Sequence, residues 1–256
     1  MQQWRDEALI LASSRHGEQS AIVHAFTRHN GRVSGYLRSA QSPKNKPFIQ
    51  PGCYVALSWK ARLADQLGYF TLEPMPSGSA ALIQRPDIAR VLQSVTQTLL
   101  TALPERQIYA NIFDGSKALL QSLSGAQDWA QAYIWWEVHV LAALGFGLRL
   151  EQCAVTGQGH DLTHVSPKTG RAVNRDVAKP YADRLLRLPY FLGGADDLGP
   201  VQEIIAGLAL TGYFMHQHIA EPQGKSLPEA RQRLAAYLKE PQIPRASAPI
   251  LELATA

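Results

Sequence analysis

Aromatic and basic side chains alternate within the first 79 residues of the chain. The aromatic members are Tyr36, Trp59, Tyr69 and Phe70. Rings that stack on bases beside cations that hold phosphates form a single-strand binding surface, so the pattern predicts contact with nucleic acid. The same rings are equally suited to the core of a small barrel, and the sequence leaves both interpretations open. The candidate DNA-binding cations of this region are Arg15, Arg28, Arg32, Arg38, Lys44, Lys46, Lys60 and Arg62.

The distribution of formal charge along the chain also favours nucleic acid as a partner. The 256 residues include 25 basic and 21 acidic side chains, which gives a net charge of +4. Nine basic and five acidic residues lie before residue 80, so the remainder is neutral overall. A basic region favours a polyanion, although an excess of this size is also ordinary for one domain.

A second basic cluster lies between residues 168 and 187, where Asp176 and Asp183 are the acidic residues. It extends the case for a long polyanion-binding surface, and a solvated loop explains it equally well. The candidate DNA contacts in this cluster are Lys168, Arg171, Arg175 and Lys179, and Arg184 and Arg187 follow them.

Motifs for bond-making chemistry are incomplete. Gly224-Lys225-Ser226 resembles the end of a phosphate-binding loop, but Ile219 stands where that loop needs its first glycine. The chain contains neither a G-x-S-x-G nor an H-E-x-x-H pattern. We therefore predict no catalytic residue and no cofactor.

A metal site is the remaining chemical alternative. Cys153, His160, Asp161 and His164 are close in sequence, but a structural zinc site normally needs about four ligands at paired spacing. The other cysteine, Cys53, is distant. We predict no metal ligand here and expect the two histidines to be a hydrogen-bonded surface pair.

The elements that would position these residues change character along the chain. Short apolar runs and an Asn30-Gly31 hairpin signal predict a small barrel in residues 1–79. The proline-rich stretch 41–51 predicts an exposed basic loop. The predicted strands cover residues 7–13, 21–27, 32–38, 53–59 and 69–73.

Residues 80–256 have helical spacing, apart from an irregular insert at about 153–194. The helix that carries Trp129, Trp135 and Trp136 is apolar almost all round, so we predict that these rings pack in a core rather than stack on bases. From residue 242 onward we expect a frayed tail. The predicted helices cover residues 83–103, 108–123, 128–144, 197–219 and 228–239.

No apolar run is long enough to span a membrane, and the first residues do not form a secretory signal. We therefore expect a cytoplasmic, nucleoid-associated protein.

Seven segments follow one another in a characteristic order along the chain. They are DEALIL (6–11), HGEQSA (16–21), TRHNGRVSGYLR (27–38), IQPG (49–52), LGFGLRL (144–150), SPKTGRAV (166–173) and LPEAR (227–231). Their order, together with the order of the predicted domains, resembles the bacterial RecO family, a family of recombination mediators.

The resemblance implies an α+β protein with an N-terminal OB-fold barrel, a helical domain and a zinc-finger-like insert. Some members hold zinc through four cysteines in this insert. Here Cys153 is present, Thr156 stands where its paired cysteine would fall, and no later cysteine exists, so metal binding is not carried over.

The implied function is non-enzymatic. It comprises binding of single- and double-stranded DNA, annealing of complementary strands, and help in loading the recombinase RecA. The implied partners are RecR and the acidic C-terminal tail of single-stranded DNA-binding protein. The alternatives are a nucleic-acid-processing enzyme that holds its substrate on the barrel, and an adaptor without DNA contact. Cations of the helical region that could receive the acidic tail are Arg85, Arg90, Arg106 and Lys117.

Overall fold

A computed structural model describes residues 1–63, 66–75, 85–123 and 129–240. The chain forms two compact units. The first comprises residues 1–124 with 228–234, and the second comprises residues 125–227 with 235–256. The predicted domain boundary at residues 79–80 and the predicted tail lie outside the described residues, and both stay predictions.

The first unit contains a closed five-stranded barrel, in which neighbouring strands follow the order β1-β2-β3-β5-β4. All pairs are antiparallel except β3 and β5, which are parallel. This arrangement, followed by helices, confirms the predicted α+β class with an OB-like N-terminal region. The strands are β1 (Gln2–His16), β2 (Ser20–Thr27), β3 (Gly31–Leu37), β4 (Tyr54–Ala61) and β5 (Tyr69–Pro74).

Strand β1 is longer than its apolar run predicted. Its first half pairs with β4 and its second half pairs with β2, which requires 15 residues. Only the middle is buried on both faces: Ala8 and Ile10 belong to the barrel core, while Leu9 and Leu11 are buried outside it. The two ends of β1 are mostly exposed and polar. The apolar run in the sequence therefore predicts only the middle of the strand.

Residues alternate between the barrel core and the outside along β3, β4 and β5. Gly35 faces inward, where an added Cβ would lie 2.6 Å from the ring of Phe70. The absence of a side chain on β3 at this point is therefore what allows the Phe70 ring to fill the barrel.

Two helices pack on the barrel within the first unit, α1 (Pro86–Ala102) and α2 (Ala110–Ser122). The Phe113 ring of α2 meets the rings of Phe26 and Tyr54 edge to face, with centroids 5.5 and 5.8 Å apart. The structure therefore places the first two helices of the predicted helical region in the same compact unit as the barrel.

The second unit is built on α3 (Trp129–Ala143) and α5 (Pro200–Met215), which continues as a π-helix over His216–Ala220. Trp129 and Trp136 are buried in α3, as predicted, while Trp135 is half-buried. Glu137 is fully buried and accepts hydrogen bonds from the Tyr133 and Thr211 hydroxyls. The last helix, α6 (Glu229–Lys239), runs from the first unit into the second.

The insert is more regular than its glycines and prolines indicated. It contains a three-stranded antiparallel sheet of order β7-β6-β8, the short α-helix α4 (Arg175–Ala178), and 3-10 helices over Lys179–Arg184 and Tyr190–Leu192. The strands are β6 (Leu162–Val165), β7 (Ala172–Asn174) and β8 (Leu186–Arg187).

Within the described part of the chain, no helix is both long and apolar enough to cross a membrane.

Candidate nucleic-acid interface

The barrel has two ends that differ in their surroundings. We call residues 27–32 and 52–55 the helix-facing end, because Phe26, Tyr54 and the β2–β3 turn adjoin α2 and the segment after α1. We call residues 36–45, 60–63 and 66–69 the open end. Six of the eight DNA-binding cations predicted in residues 1–79 lie at these two ends, and Arg15 and Lys46 lie outside them.

Arg28, at the helix-facing end, is held by Asp114 of α2. Its Nε and Nη2 atoms donate to the two carboxylate oxygens at 2.8 Å each. The hydrogen bonds from Arg28 lower the pKa of Asp114 below its usual value. This bidentate pair occupies the guanidinium edge that would otherwise face a phosphate.

Arg32 is also engaged within the first unit. Its Nε donates to the Leu103 carbonyl at 2.7 Å, and its Nη1 donates to Glu105 at 3.3 Å. Its side chain is only 17% exposed. Both predicted DNA contacts at the helix-facing end thus hold the segments around α1 and α2 against the barrel.

Four predicted cations of the open end are exposed to solvent: Arg38, Lys44, Lys60 and Arg62. Among the residues that the structure describes, none of the four has a carboxylate partner. Arg38, Lys44 and Lys60 line a depression of about 410 Å³, and Arg38, Lys60 and Arg62 line a neighbouring one of about 770 Å³. We call these adjoining depressions the basic groove.

The four aromatic rings of the sequence pattern divide into two pairs. Trp59 and Phe70 are 6% and 4% exposed and belong to the barrel core. Tyr36 and Tyr69 lie on the outer surface and line the basic groove. The core interpretation is therefore correct for Trp59 and Phe70, while base stacking by Tyr36 and Tyr69 stays a prediction.

The loop after β3 carries Lys44 into the groove. The Asn45 amide donates to the carbonyls of Arg38 and Ser39, and Ser39 has a left-handed backbone conformation with φ of 52°. Sequence reasoning missed the role of Asn45, although an asparagine in a proline-rich loop is a common turn-holding signal. Arg15 and Lys46 are exposed on adjoining elements and do not line the groove.

The cations of the insert have a different environment. Arg175 donates to Asp161 and Asp196, and the hydrogen bond from Arg175 lowers the pKa of Asp196. The Arg187 Nη2 atom also donates to the Asp196 carboxylate, at 3.1 Å. Arg171 is half-buried, and its buried Nε has no hydrogen-bond partner among the residues that the structure describes.

Lys168 and Lys179 are exposed and have no carboxylate partner among the described residues, and the same holds for Arg184. Lys168 lies between β6 and β7, and Lys179 follows α4. Two of the four predicted insert contacts are therefore placed to reach a phosphate without first losing a partner.

The prediction that His160 and His164 form a hydrogen-bonded surface pair is wrong. His164 is buried in β6, where its Nδ1 lies 2.9 Å from the Thr163 hydroxyl, whereas His160 is exposed. All four residues of β6 are buried, His164 included, whereas His160 precedes the strand on an exposed segment. Within the described ranges, no group of three or more His, Cys, Asp or Glu side chains is placed to hold a metal ion.

Cys153 is held by hydrogen bonds at the start of the insert. Burial raises the pKa of its thiol, but hydrogen bonds from the Thr156 side chain and from backbone amides outweigh this and bring the pKa to about 7. The Asn174 backbone amide donates to its Sγ at 3.4 Å. Thr156 and Asn174 thus join Cys153 in a hydrogen-bonded cluster that fastens the turn to β7.

Two family models match the chain. The model described as "Recombination protein O N terminal" covers residues 1–75, and "Recombination protein O C terminal" covers residues 87–228. The DNA repair protein RecO of Cereibacter sphaeroides is 45% identical over 93% of this chain and 99% of that protein. RecO of Roseobacter denitrificans is 44% identical over 90% of this chain and 96% of that protein. RecO of Rhodospirillum rubrum is 39% identical over 93% of this chain and 97% of that protein.

Proposed function

We propose that this chain, which belongs to the RecO family of DNA repair proteins, acts in recombinational repair by binding DNA in the basic groove of its barrel and annealing complementary strands. The observation that carries the proposal is the set of exposed cations at the open end, which have no carboxylate partner among the described residues. Their positions suit phosphate contacts, which fix a strand without reading its sequence.

The groove supplies the electrostatic part of the activity. When Arg38, Lys44, Lys60 and Arg62 approach the phosphates, they displace the counterions condensed on the DNA. The release of those ions drives binding. Because these contacts are independent of sequence, the groove accepts any strand. Binding of both single- and double-stranded DNA follows from the same contacts.

Annealing needs two strands on one protein. Two strands repel each other through their phosphates, and neutralising cations reduce that repulsion. Strands held on one surface also meet at a raised effective concentration, which speeds pairing. Lys168 and Lys179 of the insert are candidates for contacts with a further stretch of strand. The activity makes and breaks no covalent bond.

RecR and single-stranded DNA-binding protein are the proposed partners, and RecA is loaded indirectly through them. The cations first considered for the acidic tail are already engaged: Lys117 pairs with Glu7 at 2.6 Å, and Arg85 pairs with Asp87 at 2.8 Å. An apolar-tipped tail needs an exposed apolar surface. Phe146 and Tyr213 of the second unit are each 39% exposed, and the Phe146 ring stacks on His218 with centroids 4.6 Å apart.

Annealing of two complementary oligonucleotides, followed by fluorescence energy transfer, tests the main proposal. We expect the full chain to accelerate annealing without nucleotide and with chelator present. A loss of acceleration on addition of chelator, or a requirement for nucleotide, would falsify the proposal. Release of shortened strands during the assay would favour the nucleic-acid-processing enzyme instead.

Binding of the acidic tail is tested separately by calorimetry with a synthetic tail peptide. The full chain is used, since α1 and α2 pack on the barrel and a cut before them would expose the faces of Phe26 and Phe113. We expect Phe146→Ala to weaken binding and Tyr190→Ala, at another exposed ring of the second unit, to leave it unchanged. Equal affinity of all three proteins would place the tail elsewhere.

A further inference from the structure

Three outward side chains form a row across neighbouring strands at the open end of the barrel. Tyr69 of β5 is the register partner of Lys60 on β4 and of Tyr36 on β3. All three side chains line the basic groove. A cation and two rings are thus presented side by side on one surface.

The Tyr69 ring is exposed but held in place. The residue is 50% exposed, and its ring meets that of Tyr36 edge to face with centroids 5.6 Å apart. The Arg38 guanidinium lies over the Tyr69 ring, 4.6 Å from its centroid. These contacts restrict the ring before any ligand arrives, which lowers the entropy cost of a later stacking contact.

The backbone that leads into Tyr69 is fixed from two sides. The Trp59 indole donates to the Leu67 carbonyl at 3.0 Å, and the Tyr36 amide donates to the Gly68 carbonyl at 2.9 Å. Gly68 has a φ of 66°, and an added Cβ would lie 2.2 Å from the Trp59 Nε1 atom. A glycine at this position therefore lets the loop close down on the core and sets the position of the ring.

We propose that Tyr69 stacks on an unpaired base, with Tyr36 supporting it, and that this contact makes the basic groove prefer single-stranded over double-stranded DNA. The proposal deepens the proposed function and rests on it. Every base offers a face for stacking, so the contact tolerates any sequence. In a duplex both faces of a base are already covered by its neighbours, so a duplex can use the cations of the groove but not the ring.

Packing within the protein is the competing explanation for the ring. Tyr36 and Arg38 contact Tyr69, so the ring could serve only to order the side chains around it. The two explanations differ for a duplex. A ring that only orders Arg38 and Tyr36 affects both forms of DNA, whereas a stacking ring affects only the form with unpaired bases.

The test compares Tyr69→Ala, Tyr69→Leu and Tyr69→Phe in the full chain. The probes are a labelled thymidine oligonucleotide and a mixed-sequence duplex of equal length. We expect Tyr69→Ala and Tyr69→Leu to lose about tenfold in affinity for the single strand, within the range for one stacked base, and to keep their affinity for the duplex. Tyr69→Phe retains the ring and should bind both probes like the wild type. Tyr190→Ala, at a 58% exposed ring outside the barrel, is the matched control.

A fluorescent base in the single strand gives a direct readout of stacking. We expect 2-aminopurine fluorescence to be quenched by the wild type and by Tyr69→Phe, and less so by Tyr69→Leu. Equal losses on both probes, or no loss on the single strand, would overturn the stacking role while leaving DNA binding intact. Absence of DNA binding by the wild type would overturn the proposed function itself. Tyr69→Leu decides the question if Tyr69→Ala does not fold.

Discussion

The two ends of the barrel contain similar cations but use them differently. At the helix-facing end, Arg28 and Arg32 donate to Asp114, Glu105 and a backbone carbonyl of the segments around α1 and α2. At the open end, Arg38 and Lys60 have no carboxylate partner among the described residues and face a groove.

This difference shows that the number of basic residues in a region is a poor guide to its ligand. A cation that already has a carboxylate partner gains little from a phosphate, because the phosphate must displace that partner. The arrangement predicts that the helix-facing end governs stability and the open end governs DNA affinity. Four changes test this separation.

The largest effect is expected for Phe113→Ala. The ring is fully buried against Phe26 and Tyr54, so its removal should lower the free energy of unfolding by about 3–5 kcal/mol. Urea denaturation measures this loss. DNA affinity, measured where the variant is folded, should stay within about twofold of the wild type because the groove is untouched. A large loss of affinity in the folded variant would show that the two ends are coupled.

The next effect is expected when the open end loses its charge. The combined change Arg38→Gln, Lys44→Gln, Lys60→Gln and Arg62→Gln should reduce single-strand affinity on the order of 100-fold at moderate salt. The slope of log affinity against log salt should fall by up to about 3, since each phosphate contact contributes about 0.7.

The matched control is the pair Arg28→Gln and Arg32→Gln. We expect it to leave the salt slope unchanged and to lower only the stability of the folded state, because both side chains hold segments of the first unit against the barrel. Fluorescence anisotropy over a salt series measures the slopes for both variants. An equal fall of slope in the control would contradict the assignment of DNA to the open end.

A smaller effect is expected for Asp6→Asn at the helix-facing end. Burial acts to raise the pKa of Asp6, but hydrogen bonds from His29, Asn30 and Glu7 outweigh it and the pKa lies below 3.8. The Asp6 carboxylate therefore stabilises the folded state at pH values above the pKa that it has in the unfolded chain. This stabilisation is lost as the pH falls through the lower pKa that it has in the folded state.

We expect Asp6→Asn to be about 1–2 kcal/mol less stable than the wild type at pH 7. The difference should shrink in acid, as the wild-type carboxylate becomes protonated. Urea denaturation at neutral and acidic pH checks this. A stability difference that stays constant down to strongly acidic pH would show that shape, not charge, is what Asp6 contributes.

The smallest effect is expected for Arg175→Gln in the insert. Its side chain is half-exposed and bound to Asp161 and Asp196, so its removal should lower the free energy of unfolding only slightly, as is usual for a solvent-screened ion pair. DNA affinity should change by less than about twofold. Lys168→Gln is the contrasting variant, since Lys168 is exposed and we expect a measurable loss of salt slope there. A fall in slope for Arg175→Gln alone would reverse this assignment.

The sequence predicted the barrel because strand alternation and the Asn30-Gly31 hairpin are local signals. It placed β3 and β5 within one residue at each end. It could not predict which cations are paired, because Arg28 and Asp114 are 86 residues apart and meet only when α2 packs on the barrel.

The aromatic rings show the same limit. Trp59 and Tyr69 both lie in predicted strands, and the strand pairing in the folded barrel decides that Trp59 faces the core while Tyr69 faces the groove. The three-stranded sheet of the insert was missed because its strands are two to four residues long and carry no clear alternation.

The most direct test of the account is a titration of the isotope-labelled full chain with a single-stranded oligonucleotide, followed by backbone amide NMR shifts. We predict that the largest shifts occur at Tyr36, Arg38, Lys60 and Tyr69, while the amides of Arg28, Arg32 and Asp114 stay in place. Shifts concentrated at Arg28, Arg32 and Asp114, with the open end unchanged, would contradict the central claim that DNA binds at the open end.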